Sequence, residues 1–332
     1  ALIKEAMIEE DIKNYDNIFM LLAMIYDPQS VLLAKENIQN GTSESITFAV
    51  EMMDIFVEEE LKPKLLPVMD ELKMDERLAR LQNHYPPEDF DSYDDLLLQI
   101  INRDYNRINR YTKALAMYRF SQLSGHVTAD LIANLFNPDP LLLQTAAYSI
   151  YLINKEAYHD HTKRLKPVTK KELDKAILPP VFRDEDEEYH QKLLLIERVI
   201  ELKKIELFKR IPGELITYMA ECLEEVKIKM GSTIIREGDG GMEPMFIVLD
   251  GSVDIYEGDH KVAEREKGGV FGEKNITESD AFGFTALART ECTMLLMRKE
   301  ELANLMSKHI EIMDSWVDIM NGEVDQEEAV NY

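Results

Sequence analysis

Two stretches of this 332-residue chain follow different hydrophobic periods, so they belong to different domains. In residues 1–180 almost no glycine interrupts the apolar stretches, and apolar and polar residues do not alternate. That region reads as helices broken at Asp-Pro, Asn-Pro and Pro-Pro steps. After Val226 the period shortens. The segments IKMGSTIIREGD, PMFIVLDGSVDIYEG and TECTMLLMRK read as strands, with Val, Ile, Phe and Tyr alternating with polar residues. Gly231, Gly238, Gly240, Gly241, Gly251 and Gly258 supply the tight turns of a compact β-roll. The expected fold is α+β in two domains: a helical domain over 1–180, an acidic connector over 181–190, and a β-roll with flanking helices over 191–332.

Three helical segments look alike, at 21–72, 95–123 and 130–154. Each places a short polar turn (Asp27-Pro28, Asn102 to Asp104, Asn137 to Pro140) between an apolar helix and a second helix with small residues on one face. Ala49, Ala114, Ala116, Ala146 and Ala147 are those small residues. The pattern resembles HEAT repeats, which stack into a solenoid because no single unit can bury its apolar face alone; an irregular helical bundle is the alternative. The connector follows a basic patch, KRLKPVTKKELDK, and contains the acidic run Asp184 to Glu188 after Pro179-Pro180. Residues 191–211 read as one bridging helix and ELITYMAECLEEV as a second. Beyond Arg298, Leu302, Met306, His309, Met313, Trp316 and Met320 form a stripe on one helical face, ahead of a polar, frayed tail.

The formal net charge of −25 is spread over both halves: residues 191–332 hold 17 basic and 29 acidic residues, and the rest hold 21 and 34. Such a field disfavours nucleic acid and anionic lipid, whose binding depends on phosphate neutralisation by Lys and Arg. Two cysteines, Cys222 and Cys292, make no disulfide framework and suit a reducing compartment. The longest apolar run, residues 18–26, is too short to span a bilayer, and no signal peptide is visible. A cytoplasmic location is expected. The chain opens on Ala1 without an initiator methionine, which leaves both trimming and a longer native polypeptide open.

The stretch from about 196 to 316 resembles the cyclic nucleotide-binding domain family. Gly231, Ile234, Ile235, Gly238, Asp239, Phe246, Ile247, Gly251 and Val253 fall at the spacing of its roll, and Phe271-Gly272-Glu273 matches the opening of its phosphate-binding cassette. The resemblance implies a glutamate that accepts from the ribose 2′-hydroxyl and an arginine that pairs bidentately with the cyclic phosphate, beside a helix N-terminus. The family's Pro-Arg-Ala-Ala-Thr stretch falls, without gaps, on Ala281, Phe282, Gly283, Phe284 and Thr285. Phe282 thus stands where the arginine belongs. A hydrogen bond to a charged group is worth roughly 1.5–3 kcal/mol, so its loss weakens binding by about one to two orders of magnitude or more. Phe284 adds bulk, Glu278 and Asp280 add like charge, and Lys274 and Arg289 are the nearby cations in sequence.

Glu273 then has two readings, a retained ribose contact or a residue bonding the turn's own backbone. Phe282 and Phe284 have two as well, pocket filler or a stacking platform. The candidate ligand site comprises Phe271, Gly272, Glu273, Lys274, Phe282, Gly283, Phe284 and Thr285. GDGGM at 238–242 lacks the Lys-Ser/Thr of a phosphate-binding loop, His159-Asp160-His161 has no further ligand at finger spacing, and no nucleophile-elbow, zincin or Cys-x-x-Cys motif occurs. No helix-turn-helix follows the cassette.

The expected function is a non-catalytic regulatory or protein-interaction module with no metal and no resident cofactor, its partner docking on the helical repeats. A working sensor of cyclic AMP or another nucleotide is the alternative. The domain combination, with the phrases DPQSVLLAKENIQNG and FAVEMMDIFVEEELKPKLLPVMD, is similar to the soluble C-terminal region of bacterial transporters of the ATP/ADP translocase type. That similarity implies a membrane transporter domain in the same polypeptide.

Overall fold

The computed structural model describes residues 2–104, 107–178, 193–240, 244–273, 281–313 and 316–317. The connector expected at 181–190 and the tail lie outside them. The chain divides into two compact units: Met7–Leu96, and Leu97 onward together with the first six residues.

The first unit is helical. Its elements are α1 (Leu2–Ile25), α2 (Pro28–Asn40), α3 (Ser43–Phe56), α4 (Lys62–Met69) and α5 (Met74–Leu81). Local chemistry sets the breaks. The Asp27 side chain accepts from Ser30 N at the start of α2, with Pro28 in the first turn, and Thr42 does the same for Ser45 N at the start of α3. Phe19, Leu22, Val31, Ala34, Ala49, Met53 and Met69 close the core of this unit.

The second unit begins with α6 (Tyr93–Asn102), α7 (Arg110–Leu123), α8 (Ala129–Asn134), α9 (Pro140–Ile153), α10 (Lys155–Thr162) and α11 (Pro167–Ile177). Tyr111 through Met117 of α7 are all buried, which makes it the central helix of this layer. Ala114, Ala116, Ala146 and Ala147 are fully buried, and Ser149 Oγ donates to Met117 O at 3.1 Å, so α7 and α9 approach closely. The three expected polar turns all fall at helix junctions.

Residues 191–211 do not form one helix. α12 spans Leu195–Leu202, and a single 3-10 turn follows at Glu206–Phe208. The physical reason is Lys203: its buried ammonium donates to the carbonyls of Lys209 and Ile211 and pairs with Glu5 at 2.9 Å. The chain folds back around that charge and buries Phe208 and Ile211. α13 (Gly213–Cys222) then leads into the roll; Gly213 is required there because a Cβ would sit 1.9 Å from the Tyr111 ring.

The roll is two antiparallel four-stranded sheets, ordered β1-β8-β3-β6 and β2-β7-β4-β5. The strands are β1 (Glu224–Ile228), β2 (Thr233–Ile235), β3 (Met245–Asp250), β4 (Val253–Glu257), β5 (His260–Arg265), β6 (Val270–Phe271), β7 (Thr285–Ala288) and β8 (Cys292–Met297). β3 is buried along Met245–Val248, whereas Val253 and Ile255 of β4 alternate inward. Between β3 and β4 the turn needs Gly251: its φ is 92° and a Cβ would meet Glu291 O at 2.4 Å. After the roll, α14 (Lys299–Lys308) ends at His309, whose φ of −132° leaves the helix. The continuous stripe expected to Met320 is therefore broken; Leu302 and Trp316 are buried, Met313 is exposed, and Met320 lies outside the described residues.

Candidate functional site

β6 delivers the start of the cassette. Phe271 pairs in register with Phe246 of β3, and the two rings stack at 5.1 Å and 15°. Gly272 follows with φ 83°; a Cβ there would meet Pro244 O at 2.5 Å, so only glycine fits this close backbone approach. Glu273 comes next and is half-buried. Lys274, Glu278 and Asp280 lie outside the described residues.

Phe282 is held by its backbone. Its N–H donates to Asp239 O at 3.0 Å and its carbonyl accepts from Gly238 N at 2.8 Å, which fastens residue 282 to the turn after β2. Its side chain is 5% exposed and belongs to the core between the sheets, with Ile235, Val248, Val253, Phe271 and Ala286. Phe284 packs against that core and meets Phe282 edge-on at 5.6 Å and 75°. A Cβ at Gly283 would meet nothing within 4 Å. Thr285 accepts from Glu237 N at 3.1 Å through its hydroxyl.

The structure thus brings Phe271, Phe282 and Phe284 into one apolar cluster and gives Thr285 to the neighbouring turn. Arg289 is committed elsewhere: its guanidinium meets Glu264 at 2.6 Å. That carboxyl is held below its ordinary range by the hydrogen bond from Lys261 and then by Arg289. Neither His159-Asp160-His161 nor any other group of three His, Cys, Asp or Glu among the described residues could hold a metal.

A second node escaped sequence reading. Arg110, at the start of α7, reaches Asp139 at 3.0 Å, Glu221 at 2.6 Å and Glu214 at 3.5 Å. Its guanidinium also lies 4.3 Å from the centre of the Tyr218 ring, which stacks at 4.0 Å on His309 at the end of α14. Burial works to lower the Arg110 pKa, and Glu221 and Asp139 raise it by more. The node links α7, the start of α9, α13 and α14. These residues are 29 to 111 positions apart in pairs with Arg110, so no local spacing could announce them.

Residues 225–309 match the family model described as "Cyclic nucleotide-binding domain". The chain is similar to the cAMP-dependent protein kinase regulatory subunit of Eremothecium gossypii, 34% identical over 88 residues, covering 26% of this chain and 19% of that protein. It is also similar to cGMP-dependent protein kinase 2 of Mus musculus, 26% identical over 113 residues, covering 34% of this chain and 15% of the kinase. The chain therefore spans less than a fifth of the length of either relative. A solved cyclic nucleotide-binding domain from Methylobacillus flagellatus superposes with a TM-score of 0.36 at 15% identity, covering 42% of this chain and 80% of that one. No described helix is long and apolar enough to cross a membrane. The match to the cyclic nucleotide-binding domain model thus covers residues 225–309, and the chain is similar over part of its length to a kinase regulatory subunit.

Proposed function

We propose that this chain is a non-catalytic regulatory module whose cyclic nucleotide-binding domain has lost its phosphate contact and acts through protein contacts. One observation carries the reading: the Phe282 side chain is 5% exposed inside the apolar core, at the position where the family resemblance sets an arginine. An apolar ring offers the cyclic phosphate no donor. A phosphate there would lose water and gain no charge-assisted bond, which is unfavourable by the physics of buried ions. Phe284 supports the same reading by packing on Phe282 rather than standing clear as a stacking platform.

The Arg110 node supports a transmitting role. It ties the helix that enters the roll to the helical layer and, through Tyr218 and His309, to the helix that leaves it. In this reading the helices of 1–180 are HEAT-like and offer the partner surface; exposed Met24 and Ile55, at 74% and 85%, support such a surface. The module would be the cytoplasmic part of a larger polypeptide such as an ATP/ADP translocase-type transporter, on the strength of the repeat phrases quoted above.

A second reading, a working nucleotide sensor, is favoured by the retained Phe271-Gly272-Glu273 and by the identity to a cyclic AMP-dependent regulatory subunit. The substitution Phe282→Arg separates the two. Under the leading reading the parent chain does not bind cyclic AMP; binding gained by the folded variant marks a vestigial pocket, and no gain marks a filled one. Equal and tight binding by both would favour the sensor, with the phosphate held by other groups.

A further inference from the structure

The longest apolar run of the chain, residues 18–26, passes through the end of α1, and the core of the first unit uses only part of it. Phe19 and Leu22 are buried, whereas Met20, Leu21, Met24 and Ile25 are each more than half exposed. Met20 with Met24 and Leu21 with Ile25 are four residues apart, so the four side chains share one face. A helix that is apolar all round is ordinarily buried all round. Here one side stays open. Leu32 and Leu33 of α2, across the Asp27-Pro28 turn, are exposed as well.

The charge around that face has one sign. Residues 7–96 hold 21 acidic and 7 basic residues, a net of −14, and the rest of the chain holds 42 and 31, a net of −11. The Tyr26 hydroxyl accepts from Glu58 N at 3.2 Å, which sets the exposed carboxylates of Glu58, Glu59 and Glu60 beside the end of α1. Lys62 pairs with Glu59 and Asp54, and the surplus there remains acidic. α1 has no basic residue in its last turn, so nothing within the helix offsets the negative end of its dipole. Such a surround repels anionic lipid and nucleic acid. It also repels a second copy of the same face, which would bring the same carboxylates.

We propose that this face of α1 docks a basic amphipathic helix of a partner protein. The partner's apolar stripe would lie on Met20, Leu21, Met24 and Ile25, and its Lys and Arg side chains would reach the end of α1 and Glu58, Glu59 and Glu60. Met20 and Met24 suit that contact because unbranched thioethers adapt to the side chains set against them. The proposal rests on the reading above that the N-terminal helices carry the partner surface, and it names the face and the partner's chemistry.

The test is fluorescence anisotropy of the full chain against a labelled amphipathic Leu/Lys helical peptide. A shuffled peptide of the same composition and a Leu/Glu counterpart are the comparison arms. Three variants accompany it, each checked for an unchanged thermal midpoint: Leu21→Gln with Met24→Gln on the face, Glu58→Gln with Glu60→Gln at its rim, and Val262→Gln, an exposed apolar site on β5. The expected result is saturable binding of the Leu/Lys peptide, weakened about tenfold or more by shuffling and by the face variant, which loses two apolar contacts. The rim variant should bind several-fold more weakly with a smaller dependence on salt, and Val262→Gln should bind like the parent. Absence of saturable binding, equal binding of the shuffled or Leu/Glu peptide, or a face variant that binds like the parent would overturn the proposal. So would attachment of the parent chain to phosphatidylcholine vesicles, or self-association in sedimentation, that the face variant abolishes, because each names another occupant. Cyclic AMP binding by the parent chain would overturn the regulatory reading and leave this face untouched, so the two can fail separately.

Discussion

At residue 282 the roll holds an aromatic ring where its family resemblance sets a cation. At residue 110 the helices that adjoin the roll hold a cation among three carboxylates and an aromatic ring. Both residues are largely buried: Phe282 is 5% exposed and the Arg110 side chain 12%. The difference lies in what each can exchange with solution. Among the described residues, the Phe282 cluster is apolar and offers dispersion and burial rather than charge. The Arg110 cluster has a strong field, directed wholly at the chain's own carboxylates. Charge recognition in this unit thus holds elements together, and the cassette contributes to the core.

The largest expected effect tests the first half of that comparison. Phe282→Ala should destabilise the chain by about 3–5 kcal/mol, the range for truncating a buried phenylalanine. Equilibrium denaturation reads it; a loss below about 1 kcal/mol would mean the ring is not core. Arg110→Met comes next, at about 2–4 kcal/mol, because it leaves half-buried carboxylates without their cation. Arg110→Lys should recover only part of that loss, since an ammonium cannot span the same set of acceptors and the Tyr218 face together.

A smaller, pH-dependent effect comes from Tyr158 of α10. It is fully buried and donates to Asp174 at 2.8 Å. Burial first, and then Asp174, raise its pKa. A raised folded value means its contribution is complete below the unfolded pKa of about 10 and is lost as pH rises further. Denaturation midpoints should fall above pH ~10, with a shallower fall in Tyr158→Phe. The smallest effect is at Cys222, whose thiol is pushed up by burial, then by Glu301 and Glu221. Alkylation near pH 8 should be several-fold slower than for an exposed thiol, and slower still in Arg110→Met, where Glu221 has lost its cation. Faster alkylation in that variant would contradict the arrangement around Arg110.

Much of the roll was legible because its turns depend on glycine. The φ of 92° at Gly251 and the close backbone approach at Gly272 leave no other residue type comfortable. β7 was harder to see: Thr285–Ala288 turns small alanines inward, with none of the β-branched alternation that marks β3 and β4. β5 lies at the edge of its sheet with three exposed residues, so its pattern is weak. The helices read at 191–211 and 302–320 are interrupted for another reason. Apolar spacing describes a face, whereas at the breaks the side chains meet other partners: two nearby carbonyls and distant Glu5 for Lys203, the Tyr218 ring for His309. At the candidate site, Phe282 was identifiable by counting from Phe271-Gly272-Glu273, but its place in the core was not, because that depends on the turn at 238–239 reaching across to it.

Calorimetric titration of the unaltered chain with cyclic AMP, at low salt, asks whether the roll still receives a cyclic nucleotide. No saturable heat is expected up to millimolar nucleotide, because the buried Phe282 ring carries no donor at the position where the family resemblance sets an arginine. Saturable binding at micromolar affinity would contradict it and would make the roll a working receptor.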